Sequence, residues 1–363
     1  MDLKTKKKLW ASFLSIAILA GTLFAADAII KQHTTDGVRQ SMAIYDQPKN
    51  SIDVLVLGSS HAYYGINTAK LWEDYGISAY DFGSAEQSLW VSYHYLIEAC
   101  KDQKPKVVVL DFYSPAAYQE DHKFKYAFLA DALYGMKFSF NKLAMMNACF
   151  DGDRDLWNRY FPSFFGYHDQ YEEVTAEDFE KLFADHADFK GFVPHFEKTS
   201  VNGFEIGTDE VLAPSDKSVR YLEKIVDYTK KHGMELYITI TPYRLNEEQT
   251  IGEIQEEDKR YNWLEKYVAN LRESGDEHVY FDYTLKHMDS FGILMAIGED
   301  MDDATHLNYY GSCKFTDFLG KDLKARYGDE LIPDHRGDEK YVSWDENVEI
   351  IKKDVEDNGF EWR

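Results

Sequence analysis

From Ile52 onward, short runs of apolar residues alternate with segments of helical periodicity, and this alternation restricts the fold more than any other feature. Strands that alternate with helices along a chain form parallel sheets whose two faces are covered by the helices. Five runs predict strands: IDVLVLG (52–58), ISAYDF (77–82), KVVVLDFY (106–113), ELYITITP (235–242) and HVYFDY (278–283). The four consecutive apolar residues of the third run suit a strand buried on both sides.

The segments between these runs predict the helices and the domain limits. Helical patterns lie near Thr68–Tyr75, Gln87–Lys101, Ser215–His232, Glu247–Ser274 and Gly311–Tyr327. Five strands with intervening helices predict an α/β fold, a three-layer α/β/α flavodoxin-like sandwich over residues 50–330. The alternation stops at about residues 114–210, where we expect a mainly helical or irregular insertion. We expect residues 331–363 to form an acidic, peripheral C-terminal tail.

The composition is that of a globular, acidic protein. Hydrophobic residues make up 44% of the 363 residues, and aromatic residues 15%, which is enough for one large core. The chain has 40 Lys and Arg residues against 64 Asp and Glu residues, a formal net charge of −24. Because this charge repels phosphate groups, the composition argues against nucleic acid as a partner.

The amino terminus carries the clearest targeting signal. An uncharged run, Leu9–Ala26, follows four lysines: Lys4, Lys6, Lys7 and Lys8. At 1.5 Å per residue this run is near the lower limit for a spanning helix, so residues 1–32 predict an uncleaved signal anchor or a cleaved signal peptide. The lysines are expected to stay in the cytoplasm. We therefore expect a single-pass protein of the cell membrane with its main domain outside; a buried helix of the soluble domain is the weaker alternative.

A serine follows the first predicted strand directly. The segment GSSHAYYG places Gly58, Ser59, Ser60 and His61 at the strand end. A tight turn between a strand and a helix exposes a hydroxyl and directs backbone N–H groups toward a reacting carbonyl. Ser60 is therefore a candidate nucleophile, although many strands end in Gly-Ser turns that have no chemical role.

A second candidate motif lies before the last predicted helix, in the segment DATHLNYYG. An acid three residues before a histidine on one loop can orient one ring nitrogen while the other faces a serine. Asp303 and His306 have this spacing. The alternative is an ordinary solvated loop or a helix N-cap.

Taken together, the two motifs resemble those of the SGNH (GDSL-like) hydrolase superfamily. The resemblance covers about residues 52–327 and implies Ser60 as nucleophile, His306 as general base and Asp303 as the acid that orients it. It also implies an oxyanion hole formed by the backbone N–H groups of Ser60 and of Gly83, which lies in the segment FGSAEQ after the second strand. The family's third motif normally supplies an Asn, whereas this chain has DFYS from Asp111 to Ser114.

The same departure is found in membrane-anchored proteins of teichoic-acid D-alanylation and of polysaccharide O-acetylation. This chain resembles these proteins most, because they too have an amino-terminal membrane segment followed by a GSS-like first motif. The resemblance implies acyl transfer to or from a cell-surface glycan through an acyl-serine intermediate. The implied partners are the glycan or acyl-donor substrate and a membrane-bound O-acyltransferase. The alternatives are a plain carbohydrate or lipid esterase and a catalytically inactive glycan-binding scaffold.

Three further residues are candidates for lining the substrate site: His61 beside the nucleophile, Gln87 after the second strand, and Tyr113 after the third. His61 can equally point away along the turn, and Gln87 can simply begin a helix. The acidic cluster Asp300, Asp302 and Asp303 lacks the spacing of a calcium-binding loop. We therefore predict no metal and no cofactor.

Overall fold

The protein is described here by a computed structural model, which covers residues 2–31, 37–118, 126–160, 189–201, 207–244 and 251–363. Its centre is a sheet whose strands are all parallel and whose order is β2-β1-β3-β4-β5. The strands are β1 (Val54–Leu57), β2 (Ala79–Asp81), β3 (Val107–Asp111), β4 (Glu235–Thr239) and β5 (Val279–Phe281). All five predicted strands are present, and the predicted α/β class is confirmed.

The strands are connected by α-helices and by short 3-10 helices. The α-helices are α1 (Leu3–Lys31), α2 (Val38–Ala43), α3 (Ser60–Gly65), α4 (Thr68–Tyr75), α5 (Leu89–Ala99), α6 (Tyr113–Ala117), α7 (Tyr126–Tyr134), α8 (Phe140–Phe150), α9 (Arg154–Tyr160), α10 (Asp216–His232), α11 (Ile251–Glu273), α12 (Tyr309–Leu331) and α13 (Val342–Asp357). Local signals set several ends: the Asn67 side chain accepts the N–H groups of Ala69 and Lys70, and Gly76 ends α4 in the left-handed conformation.

The strands bury apolar side chains on both sides of the sheet. Leu55 and Leu57 of β1 belong to one apolar cluster, whereas Val54 and Val56 belong to a second. Strand β3 divides in the same way. Since successive side chains of a strand point to opposite faces, the two clusters lie on opposite faces of the sheet. This double burial explains why β1 and β3 read as continuous apolar runs.

The described part of the predicted insertion is helical or irregular. It contains helices α6 to α9, of which α8 packs against α5. It has no strand within the ranges that the structure describes between residues 114 and 210. Residues 119–125, 161–188 and 202–206 of the predicted insertion lie outside the described residues.

The segment after Pro333 is not the peripheral tail that we expected. It forms α13, which packs against α4. Trp344 is fully buried, and its indole N–H donates to the carbonyl of Ala79 on β2 at 3.3 Å. Ile351 and Val355 are buried in the same cluster. The main domain therefore extends to the C-terminal residues, because their apolar side chains cover the β2 side of the sheet.

Residues Leu3–Lys31 of the predicted membrane segment form the single helix α1. Its described apolar side chains are exposed, among them Trp10, Phe13, Ile16 and Leu19. Within the described residues, no helix combines the length and the apolar character that a membrane crossing requires.

Candidate active site

Ser60 lies at the carboxyl end of β1, where the chain turns into α3. Strand β1 ends at Leu57, Ser59 is the N-cap residue, and Ser60 is the first residue of the helix. The turn is tight at Gly58, because a Cβ atom there would lie 2.7 Å from Cβ of both Ala62 and Asp111. Only glycine therefore allows α3 to start this close to β3.

A compact loop before α12 holds His306 and Asp303. Met301 and Leu307 form an isolated antiparallel bridge across the loop, and the Asp302 N–H donates to the carbonyl of His306 at 2.9 Å. Asn308 then caps α12 by accepting the Gly311 N–H at 3.1 Å. These bonds fix the backbone on both sides of His306.

The structure brings Ser60, His306 and Asp303 into one hydrogen-bonded chain. Ser60 Oγ lies 2.7 Å from His306 Nε2, and His306 Nδ1 lies 2.7 Å from Asp303 Oδ2. With a neutral imidazole protonated at Nδ1, the Nε2 lone pair accepts the Ser60 hydroxyl, and Nδ1–H donates to the carboxylate. This is the arrangement in which a histidine can remove a proton from a serine.

Asp303 is held as a carboxylate by its local contacts. Partial burial alone would raise its pKa, but the hydrogen bond and charge of His306 and two backbone bonds outweigh burial, so the pKa lies well below its ordinary value. The backbone bonds come from the N–H groups of Thr305 and His306, which donate to Oδ1 at 2.7 and 2.8 Å. One carboxylate oxygen therefore anchors the loop while the other orients the imidazole.

The two predicted oxyanion donors lie at neighbouring strand ends. Within the described part of the chain, the backbone N–H groups of Ser60 and Gly83 donate no hydrogen bond. Gly83 follows β2, and a Cβ atom there would lie 2.6 Å from the Tyr63 ring and 3.0 Å from the Gly58 carbonyl oxygen. Position 83 therefore requires glycine for its close approach to the turn between β1 and α3.

Asp111 begins the segment that stands in place of the third motif, which normally supplies an Asn. Its side chain is not an exposed amide donor. Asp111 ends β3 and is buried, and its carboxylate accepts the N–H groups of Thr241 at 2.8 Å and Tyr113 at 3.3 Å. Burial raises the pKa of Asp111 to about 6, although these backbone bonds oppose the shift. Asp111 thus joins the ends of β3 and β4 beneath the site.

A cavity of about 330 Å³ opens onto Ser60 and His306. Its wall also includes His61, Glu86, Tyr113 and Tyr118, so two of the three predicted lining residues are placed there. Gln87 is not in this wall: it is buried, and its side-chain N–H donates to Ser92 at 3.2 Å. Its neighbour Glu86 faces the cavity instead, with a φ of 45°, a left-handed conformation that is uncommon outside glycine.

A second His–Asp pair, which the sequence does not predict, adjoins the site. His195 Nδ1 lies 2.8 Å from Asp302 Oδ2, and the His195 ring contacts Tyr64 at 3.8 Å between centroids. Asp302 also accepts the Glu197 N–H at 3.0 Å. This pair attaches residues 195–199 to the loop that carries Asp303 and His306. No local motif marks His195, since it is 107 residues from its partner.

The acidic residues of this loop have separate partners. Asp300 accepts from Lys314 at 2.6 Å, Asp302 binds His195, and Asp303 binds His306. In the part of the chain that the structure describes, no group of three or more His, Cys, Asp or Glu side chains is arranged to hold a metal ion.

Fold and site together define an α/β protein with a Ser–His–Asp hydrogen-bonded chain at the carboxyl edge of a parallel sheet. Compared with models of protein families and with curated proteins, the chain matches none.

Proposed function

We propose that this chain is a serine esterase or acyltransferase of the SGNH hydrolase type. The observation that carries the proposal is the hydrogen-bonded chain from Ser60 through His306 to Asp303, formed from two segments that are distant in sequence. The strand order β2-β1-β3-β4-β5 is that of flavodoxin-like folds, and apolar clusters on both faces support a three-layer sandwich. In such sheets, ligands bind at the carboxyl ends of the strands, where Ser60 lies.

The mechanism has two halves. Ser60 Oγ attacks the carbonyl carbon of an ester or thioester while His306 Nε2 takes the hydroxyl proton, and the N–H groups of Ser60 and Gly83 stabilise the oxyanion. The tetrahedral intermediate collapses, His306 returns the proton to the leaving group, and the acyl group stays on Ser60. An acceptor hydroxyl then attacks the acyl carbon, its proton passes through His306 to Ser60 Oγ, and the free serine is restored.

The acceptor decides between the two activities. Water as acceptor makes the protein an esterase, and a sugar hydroxyl makes it an acyltransferase. We favour acyl groups of a cell-surface polysaccharide or teichoic acid as the substrate, with a membrane-bound O-acyltransferase as partner, because of the resemblance of the sequence motifs. A carbohydrate or lipid esterase is the alternative within the same chemistry.

The proposed location is the extracytoplasmic face of the cell membrane. The support is the sequence pattern of four lysines followed by an uncharged run, together with the exposed apolar side chains of α1. Fractionation of cells, followed by protease treatment of intact cells, tests this location. A main domain that remains protected in intact cells would contradict it.

A catalytically inactive glycan-binding scaffold is the competing proposal, and the Asp at position 111 is the observation that favours it. Covalent labelling with a fluorophosphonate separates the two. The enzyme should be labelled, and Ser60→Ala and His306→Ala should abolish labelling. Ser59→Ala is the matched control: the neighbouring serine makes no hydrogen bond to His306, so this variant should keep the label. An unlabelled wild-type protein would favour the scaffold.

A further inference from the structure

His61 combines deep burial with unused hydrogen-bonding capacity. It follows Ser60 on α3, lines the cavity, and is only 2% exposed. Neither ring nitrogen has a hydrogen-bond partner among the described residues. Leaving a buried polar group without a partner is unfavourable, so buried polar side chains of this kind point to a ligand.

Aromatic contacts fix the His61 ring without using its nitrogens. The ring stacks on Tyr113 at 3.4 Å between centroids with an interplanar angle of 20°, and Tyr243 contacts it at 5.3 Å in a T-shaped arrangement. The ring of His306 lies 4.8 Å away. The orientation of His61 is therefore set before any ligand binds, which reduces the entropy lost on binding.

The chemistry of the His61 ring selects the kind of ligand. Burial first, and the charge of His306 second, hold the pKa of His61 well below its ordinary value, so the ring is neutral. A neutral imidazole has one N–H donor and one acceptor nitrogen. Hydroxyl groups, which both donate and accept, suit either nitrogen, whereas an anion or a cation gains no charge attraction here.

We propose that His61 binds hydroxyl groups on the alcohol part of the ester, so that the site prefers esters of polyols such as sugars or glycerol. The inference rests on the proposed esterase or acyltransferase function. It assigns His61 a specificity role beside the Ser60–His306 pair, since the His61 ring lines the same cavity and lies 4.8 Å from the His306 ring between centroids.

Two acetate esters of equal carbon skeleton test the inference: glyceryl 1-monoacetate and propyl acetate differ only in two hydroxyl groups. The full-length wild-type protein should hydrolyse glyceryl monoacetate with a kcat/KM at least tenfold higher, which corresponds to roughly one good hydrogen bond. His61→Phe keeps an aromatic ring against Tyr113 but removes both nitrogens, and it should bring the ratio of the two kcat/KM values close to one. His61→Gln, which has both a donor and an acceptor, should restore part of the preference.

His232→Phe is the matched control, because His232 ends α10 at the amino edge of the sheet, opposite the site. It should keep the wild-type ratio. A wild-type enzyme that hydrolyses both esters equally well would overturn the inference even if the His61 variants failed to fold. An unchanged ratio in folded His61→Phe would also overturn it. If Ser60→Ala turned over both esters as fast as the wild type, the proposed function itself would fail.

Discussion

The Nε2 atom of His306 lies 2.7 Å from the Oγ atom of Ser60, although 246 residues separate them in the chain. The sheet explains this proximity. Ser60 follows strand β1 and begins α3, whereas His306 precedes α12, which packs against α3. The packing of α3 against α12 therefore brings Ser60, on α3, close to His306, in the loop before α12.

Asp303→Asn should lower kcat for ester hydrolysis by about 10³- to 10⁴-fold, because an amide can no longer hold His306 in the tautomer that accepts the serine proton. Steady-state hydrolysis of p-nitrophenyl acetate measures the effect. Asp302→Asn is the control: its carboxylate binds His195 rather than His306. We expect it to cost less than tenfold, and equal losses in the two variants would contradict the assignment of Asp303.

Gly83→Ala should lower kcat by about 10- to 100-fold, since the added Cβ atom would lie 2.6 Å from the Tyr63 ring and displace the proposed oxyanion donor. Gly207→Ala is the matched control, because a Cβ atom at Gly207 meets nothing within 4 Å. Kinetics and thermal unfolding of both variants check the prediction. Wild-type kcat in Gly83→Ala would exclude a role for this close approach.

Asp111→Asn should change how stability depends on pH. Burial raises the folded-state pKa of Asp111 to about 6, above an unfolded value of about 3.9. The buried group favours folding below about pH 4, and this contribution is lost as the pH rises through 6. The Asn side chain of the variant does not ionise, so the variant does not lose this stability as the pH rises. Urea unfolding at pH 4 and pH 7 should show the free energy of unfolding of the variant, relative to wild type, rising by about 2 kcal/mol between the two pH values. An equal pH dependence in both proteins would contradict the prediction.

Trp344→Ala should lower the free energy of unfolding by about 3 to 5 kcal/mol, the usual cost of removing a large buried aromatic side chain. Ile350→Ala on the same helix is the control, because its side chain is exposed. Chemical denaturation compares the two. A loss below about 1 kcal/mol for Trp344→Ala would mean that α13 is dispensable for the fold, as a peripheral tail would be.

The sequence predicted the strands and the three residues of the hydrogen-bonded chain because their signals are local. Ser60 directly follows an apolar run, and the three-residue spacing of Asp303 and His306 is visible without coordinates. Helix α13 was missed although Trp344, Val348 and Ile351 have helical spacing, since the many acidic residues between them suggested a tail. The stacking of His61 on Tyr113 joins the ends of two strands, so no pattern in either segment reveals it.

The most direct test of the central claim is p-nitrophenyl acetate hydrolysis by the wild-type protein and by Ser60→Ala. If Ser60 is the nucleophile, the wild type should hydrolyse the ester, and kcat should fall by at least about 10³-fold in the variant. Equal rates in the two proteins, or no hydrolysis by the wild type, would contradict the assignment of Ser60 as the catalytic nucleophile.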